Sequence, residues 1–103
     1  MRVIIDKRVR RDIFDFYDAA MQLHPSLSWE AVSKKAERLY SALNSLADYY
    51  TIYPKARLKK EWVEAGWQEF ICEDFHFAFE VCMDEQGRQF IWIHDAVHSL
   101  LYH

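Results

Sequence analysis

The feature that most constrains this chain is a single change of period. Between Lys7 and Tyr50 apolar side chains recur every three or four residues, whereas from Trp67 to Asp95 aromatic and β-branched residues alternate or run together. The first spacing is that of a helix with one buried face, the second that of a strand. A chain that switches once between them folds as segregated layers, with helices on one face of an antiparallel sheet.

Val9, Ile13, Phe16, Tyr17, Ala20 and Leu23 define one face of a predicted helix over 7–23, with Asp12, Asp15 and Asp18 opposite. His24-Pro25 ends it, because the residue before proline is pushed out of the helical region. Ser26 and Ser28 are candidate N-caps for a second helix, and Glu30 suits its positive end. The second stripe runs through Val32, Ala36, Leu39, Leu43, Leu46, Ala47 and Tyr50. A connection this short predicts an antiparallel helical hairpin. Arg2 to Ile5 reads as a first strand. Trp67–Cys72, Phe75–Cys82 and Phe90–Asp95 read as three more, turning at Glu73-Asp74 and at 84–87, where Gly87 can take positive φ. Lys55 to Trp62 reads as a strand or an irregular basic segment. The predicted order is β-α-α-β-β-β, one α+β domain over 1–103.

A length of 103 residues suits one core. With 51% apolar residues, two glycines and two prolines, the chain is neither disordered nor collagenous. No uncharged run approaches the ~20 residues that cross a bilayer, and the start MRVIIDKRVRR lacks a secretory pattern. The expected address is the cytoplasm, with no membrane partner. Cys72 and Cys82 would lie ~23 Å apart along a hairpin, so both are expected reduced.

Net charge is −3, unevenly spread. Residues 1–60 hold 12 of the 13 basic and 7 of the 16 acidic side chains, and 61–103 hold one and nine. The early part is therefore basic and the late part strongly acidic, so one cationic surface is possible on an acidic protein. Interleaving of the halves would instead neutralise it. Two runs concentrate the cations: Lys7, Arg8, Arg10 and Arg11, then Lys55, Arg57, Lys59 and Lys60. Such runs can track a phosphate backbone or an acidic partner.

A turn at Glu73-Asp74 sets Cys72 against Phe75, Ile71 against His76, Phe70 against Phe77 and Glu69 against Ala78. A four-residue turn at 84–87 sets Val81 against Phe90, Phe79 against Trp92 and His76 against Asp95. One face then carries Phe70, Phe75, Phe77, Phe79, Val81, Phe90 and Trp92 as core. The other carries Trp67, Glu69, Ile71, His76, Glu80, Ile91, Ile93 and Asp95. A His76–Asp95 pair would supply an oriented imidazole for proton transfer. An ordinary half-solvated face with a cross-strand ion pair accounts for the same spacing. His94, His98 and His103 do not make a metal site: extended, His94 and His98 stand ~13 Å apart. No metal or other cofactor is expected.

Three features, the element order, LKKEWVEAGWQEFICEDFHFAFEV at 58–81 and the tail HSLLYH at 98–103, resemble the RelE/ParE superfamily of toxins from type II toxin–antitoxin modules. Leu58-Lys59 and Gly66-Trp67 match the basic motif and strand start of its YoeB-like branch. Phe75-His76-Phe77-Ala78-Phe79 matches the next strand, with histidine in an arginine's place. The resemblance implies a helical hairpin on an antiparallel sheet and a bacterial toxin neutralised by a cognate antitoxin. Its expected action is metal-independent cleavage of mRNA on the ribosome, in which a 2′-hydroxyl attacks the adjacent phosphate. The implied catalytic residues are Lys59, His76, His98, Tyr102 and His103, with Lys55, Arg57 and Lys60 holding RNA. The chain departs from the pattern at Glu69 and Ser99, which stand where family branches have arginine. Whether it is an endoribonuclease therefore stays open. Alternatives are a gyrase-inhibiting toxin without nuclease activity, its partner then DNA gyrase rather than ribosome and mRNA, or a non-catalytic partner-binding domain.

Overall fold

The computed structural model describes residues 1–102. Strand β1 (Arg2–Ile5) leads into helix α1 (Lys7–Leu23) and helix α2 (Trp29–Tyr49), followed by a single 3-10 turn at Tyr50–Ile52. A short helix α3 (Lys60–Ala65) precedes β2 (Gln68–Cys72), β3 (Phe75–Met83) and β4 (Gln89–His98), and a second 3-10 turn spans Ser99–Leu101.

Caps fix the helix starts. Asp6 accepts the Arg8 backbone N–H at 2.9 Å, and Ser28, the second of the two candidate caps, accepts that of Ala31 at 3.1 Å. Val9, Ile13 and Tyr17 of α1 and Val32, Leu39, Leu43 and Leu46 of α2 are buried against Phe70, Phe75, Phe77, Phe79, Ile91 and Ile93 of the sheet. The helical hairpin covers one sheet face, as the two stripes predict.

The sheet order is β1-β4-β3-β2. It is mixed rather than antiparallel, because β1 pairs in parallel with β4. Residue patterning is blind to strand direction, which is set by the crossover through α1 and α2. The first hairpin has the predicted register, Cys72 opposite Phe75 through Glu69 opposite Ala78. Glu73 and Asp74 take φ of 50° and 71°, the positive values a two-residue hairpin turn demands.

The second hairpin departs from expectation. Its closing pair is Met83–Gln89, and the Asp84 N–H donates to the Arg88 carbonyl at 2.9 Å, so five residues turn instead of four. Val81 therefore opposes Ile91, and Glu80 opposes Trp92. This one-residue slip exchanges the faces of β4. Ile91 and Ile93 are fully buried in the core, while Phe90 and Trp92 stand half-exposed outside. A register shift follows, with Phe79 opposite Ile93 but Ala78 opposite Asp95. The extra residue makes a β-bulge that turns both His94 and Asp95 outward. His76 opposes Val97, not Asp95.

The basic segment is neither strand nor irregular throughout. Lys55 bridges to Gln68 at the edge of β2, and Lys60–Ala65 is helical. Trp62 drives this turn: it is fully buried with Ala56 and Ala78 in a small second core on the outer sheet face. Gly66 caps α3 with φ of 73°, a left-handed conformation that glycine adopts without strain.

Candidate functional site

The sheet face turned away from α1 and α2 carries His76, Ala78, Glu80 and Trp92, flanked by Glu69 on β2 and by the His94–Asp95 bulge. At the β2 end the last residues fold back over it. Tyr102 lays its ring flat on the His76 imidazole, with centroids 3.9 Å apart and planes 7° from parallel. The Tyr102 hydroxyl donates to Glu69 Oε1 at 2.6 Å. Burial first, then this carboxylate, push the Tyr102 phenol up to about 12. The other oxygen, Glu69 Oε2, lies 3.5 Å from His76 Nδ1. That is ion-pair range without hydrogen-bond geometry, so Nδ1 is a buried nitrogen with no hydrogen-bond partner. Glu69 thus sits between a phenol and an imidazole, and His76 is held by one ring and one carboxylate.

A second group sits toward β1. His94 Nε2 is 2.7 Å from Glu80 Oε1, and the His94 ring stacks on Trp67 at 4.2 Å. Asp95 accepts the indole N–H of the buried Trp62 at 2.9 Å and the Ala96 backbone N–H at 2.9 Å. The partner that sequence assigned to His76 is therefore committed to α3. His94 gains a cross-strand carboxylate at hydrogen-bond distance, Glu80, whereas His76 has only the 3.5 Å approach of Glu69. The register slip and the bulge hid this, since each moves a side chain across the sheet.

Both basic runs reach this face. Lys59, the N-cap residue of α3, holds Nζ 5.9 Å from the Trp62 ring centre and 3.8 Å from Glu61. Lys55 and Arg57 line an apolar cleft with Tyr53, Leu58, Glu69 and Ile71 at the β2 edge. Lys60 points into solvent and pairs with Glu64 at 3.8 Å. From the first run, Arg8 and Arg11 line a cleft of about 350 Å³ with Trp67, His94 and three carboxylates, Asp12, Glu61 and Asp95.

The expected histidine set does not assemble as one group. His98 shares the inner face with its cross-strand partner Phe75, stacks on Phe16 of α1 at 3.8 Å and accepts the Leu100 N–H at 3.2 Å. It stands on the opposite side of the sheet from His76, because a strand alternates faces. His103 lies outside the described residues. Tyr102 does stack on His76, and its ring lies 5.8 Å from Trp62, over which Lys59 Nζ sits at 5.9 Å; the Lys59 ammonium itself pairs with neither His76 nor Glu69. Among the described residues no three histidine, cysteine, aspartate or glutamate side chains gather as metal ligands. None of the helices is long and apolar enough to cross a membrane. Burial pushes both thiols up, Cys72 and Cys82 remaining free.

The arrangement offers an imidazole beside a carboxylate and a phenol that keeps its proton at neutral pH, with Lys59 over Trp62 and two α1 arginines in a cleft at the edge of the face. Comparison with protein-family models, curated proteins and solved structures finds no match.

Proposed function

We propose that this chain is a toxin of the type II toxin–antitoxin kind that stops translation by cutting mRNA on the ribosome, and that a cognate antitoxin neutralises it. The observation that supports the reading is the stack of Tyr102 on His76 on the sheet face turned from α1 and α2, with Lys59 reaching the same small outer core through Trp62. Cleavage through a 2′-hydroxyl needs a proton acceptor, a proton donor and positive charge beside the phosphate. His76, backed by the Glu69 carboxylate at 3.5 Å, serves as the proton carrier. Lys59 supplies the ammonium group, and Lys55 and Arg57 extend the cationic border for the RNA strand. Tyr102 keeps its proton at neutral pH and orients Glu69. His98 has no part in this chemistry, since its ring is packed on Phe16 and Phe75.

One observation favours a second reading. Glu69 places an anion at the centre of the group, where phosphorane charge would call for a guanidinium. A toxin that acts without cleaving RNA, on a target such as DNA gyrase, needs no such cation. Inducible expression in a bacterial host separates the two. Growth arrest with new mRNA ends on ribosomes, abolished by His76→Ala, supports cleavage. Arrest with intact mRNA supports the non-nuclease toxin, and harmless expression removes both.

A further inference from the structure

The outward side of β4 carries more aromatic surface than a solvated sheet face needs. Phe90 and Trp92 have ring centres 6.4 Å apart, Trp92 and His94 are 5.7 Å apart and nearly coplanar in orientation, and His94 stacks on Trp67 at 4.2 Å. Three of these rings lie along β4, and Trp67, from the residue before β2, extends the row by its stack on His94. Arginines run beside it. Arg2, paired with Phe90 across the parallel β1–β4 ladder, holds its guanidinium 5.5 Å from that ring. Arg8 and Arg11 border the cleft at the Trp67–His94 end.

Most carboxylates near the row are engaged. Asp6 binds Arg8 at 3.2 Å and the Trp92 indole N–H at 3.4 Å, Glu80 binds His94, Glu61 pairs with Lys59, and Asp95 binds Trp62. The Asp6 and Glu80 contacts hold the planes of Trp92 and His94, so stacking a ligand beside them costs little further ordering. Arg11 has no ion-pair partner among the described residues, and Asp12 beside it has no hydrogen-bond partner among them. The row therefore combines preset π-faces with a free cation, which is what a single nucleic-acid strand uses: bases stack on rings while guanidiniums meet phosphates. A duplex hides its base faces and would gain nothing from the rings.

We propose that Phe90, Trp92, His94 and Trp67, with Arg8 and Arg11, form a stacking track for a few nucleotides of single-stranded RNA, separate from the Lys59–His76–Tyr102 group. Its choice of RNA rests on the reading above. The track would lead a strand across the sheet toward that group.

The test uses the purified full chain and a short oligouridylate, read by tryptophan fluorescence and by anisotropy of the labelled oligomer over a series of salt concentrations. The track predicts quenched fluorescence and salt-dependent binding. Arg11→Glu, at an exposed position that does not threaten folding, should weaken binding about tenfold or more and flatten the salt dependence. Trp92→Leu should weaken it about fivefold or more. Asp12→Asn should tighten it severalfold by removing a like charge, and Lys34→Ala on the helical side should leave it unchanged. Absence of binding by the wild-type chain, equal binding of a duplex of the same length, or an unaltered Arg11→Glu variant would each overturn the track. Because no ribosome is present, binding with mRNA left intact in cells upholds the track and removes the cleavage reading. Cleavage that Arg11→Glu leaves unaltered does the reverse.

Discussion

Tyr102 shows how one residue shapes the candidate site. Its ring covers His76, and its hydroxyl occupies one oxygen of Glu69. Tyr102→Phe keeps the stacking and removes one hydrogen bond, so it should lower unfolding free energy by about 1–2 kcal/mol in urea titrations. The raised phenol pKa has a pH signature. Its stabilising contribution is complete below the ordinary tyrosine value of 10 and is lost as pH rises through about 12. His98 gives the opposite signature. Burial holds its imidazole below the ordinary 6.5, against the pull of Asp74, and its neutral Nδ1 accepts the Leu100 N–H. A depressed folded-state pKa contributes stability above 6.5 and loses it as pH falls. The urea midpoint should therefore drop between about pH 7.5 and pH 5.5, and His98→Phe should shrink that drop. A variant with an undiminished drop would place the acid sensitivity elsewhere.

Among the elements, α3 depends most on one side chain. Six residues are too few for a free-standing helix, and the fully buried Trp62 anchors them. Trp62→Phe leaves Asp95 Oδ2 without its indole donor and should cost about 1–2 kcal/mol, whereas Trp62→Ala should cost about 3–5 kcal/mol. Gly66→Ala, at positive φ but with open space for a methyl group, should cost about 1 kcal/mol. All three are read from chemical denaturation. Sequence pattern located α1, α2, β2 and β3 because each has one apolar face. It misplaced the faces of β4, where Phe90, Ile91, Trp92 and Ile93 are apolar on both sides and alternation cannot choose. A five-residue turn and a bulge made the choice. The α3 turn was illegible because its one buried side chain, Trp62, follows directly on the cationic run and six residues are too few to show a helical period.

At the scale of the molecule, the helical hairpin closes one sheet face and leaves the other to α3, Trp67 and the last turn. Parts of both basic runs reach the border of this second face, Arg8 and Arg11 in the cleft they share with Asp12, Glu61 and Asp95, and Lys59 over Trp62 with Glu61 as its ion-pair partner. The charge asymmetry was plain in the sequence; this shared border was not, because it depends on β1 pairing beside β4. Of the residues expected to act together, His76 and Tyr102 are in contact, and the Lys59 ammonium reaches Tyr102 by way of Trp62. His98 separates from them by the parity of its strand.

The proposed activity of this group is RNA cleavage. The most direct measurement is a reconstituted translation reaction in which purified wild-type and His76→Ala chains act on ribosomes paused on a defined mRNA. Discrete cuts in ribosome-bound message are expected with the wild-type chain, slowed about a hundredfold or more by the substitution. Message that stays whole with the wild-type chain, or is cut equally well by His76→Ala, would contradict it.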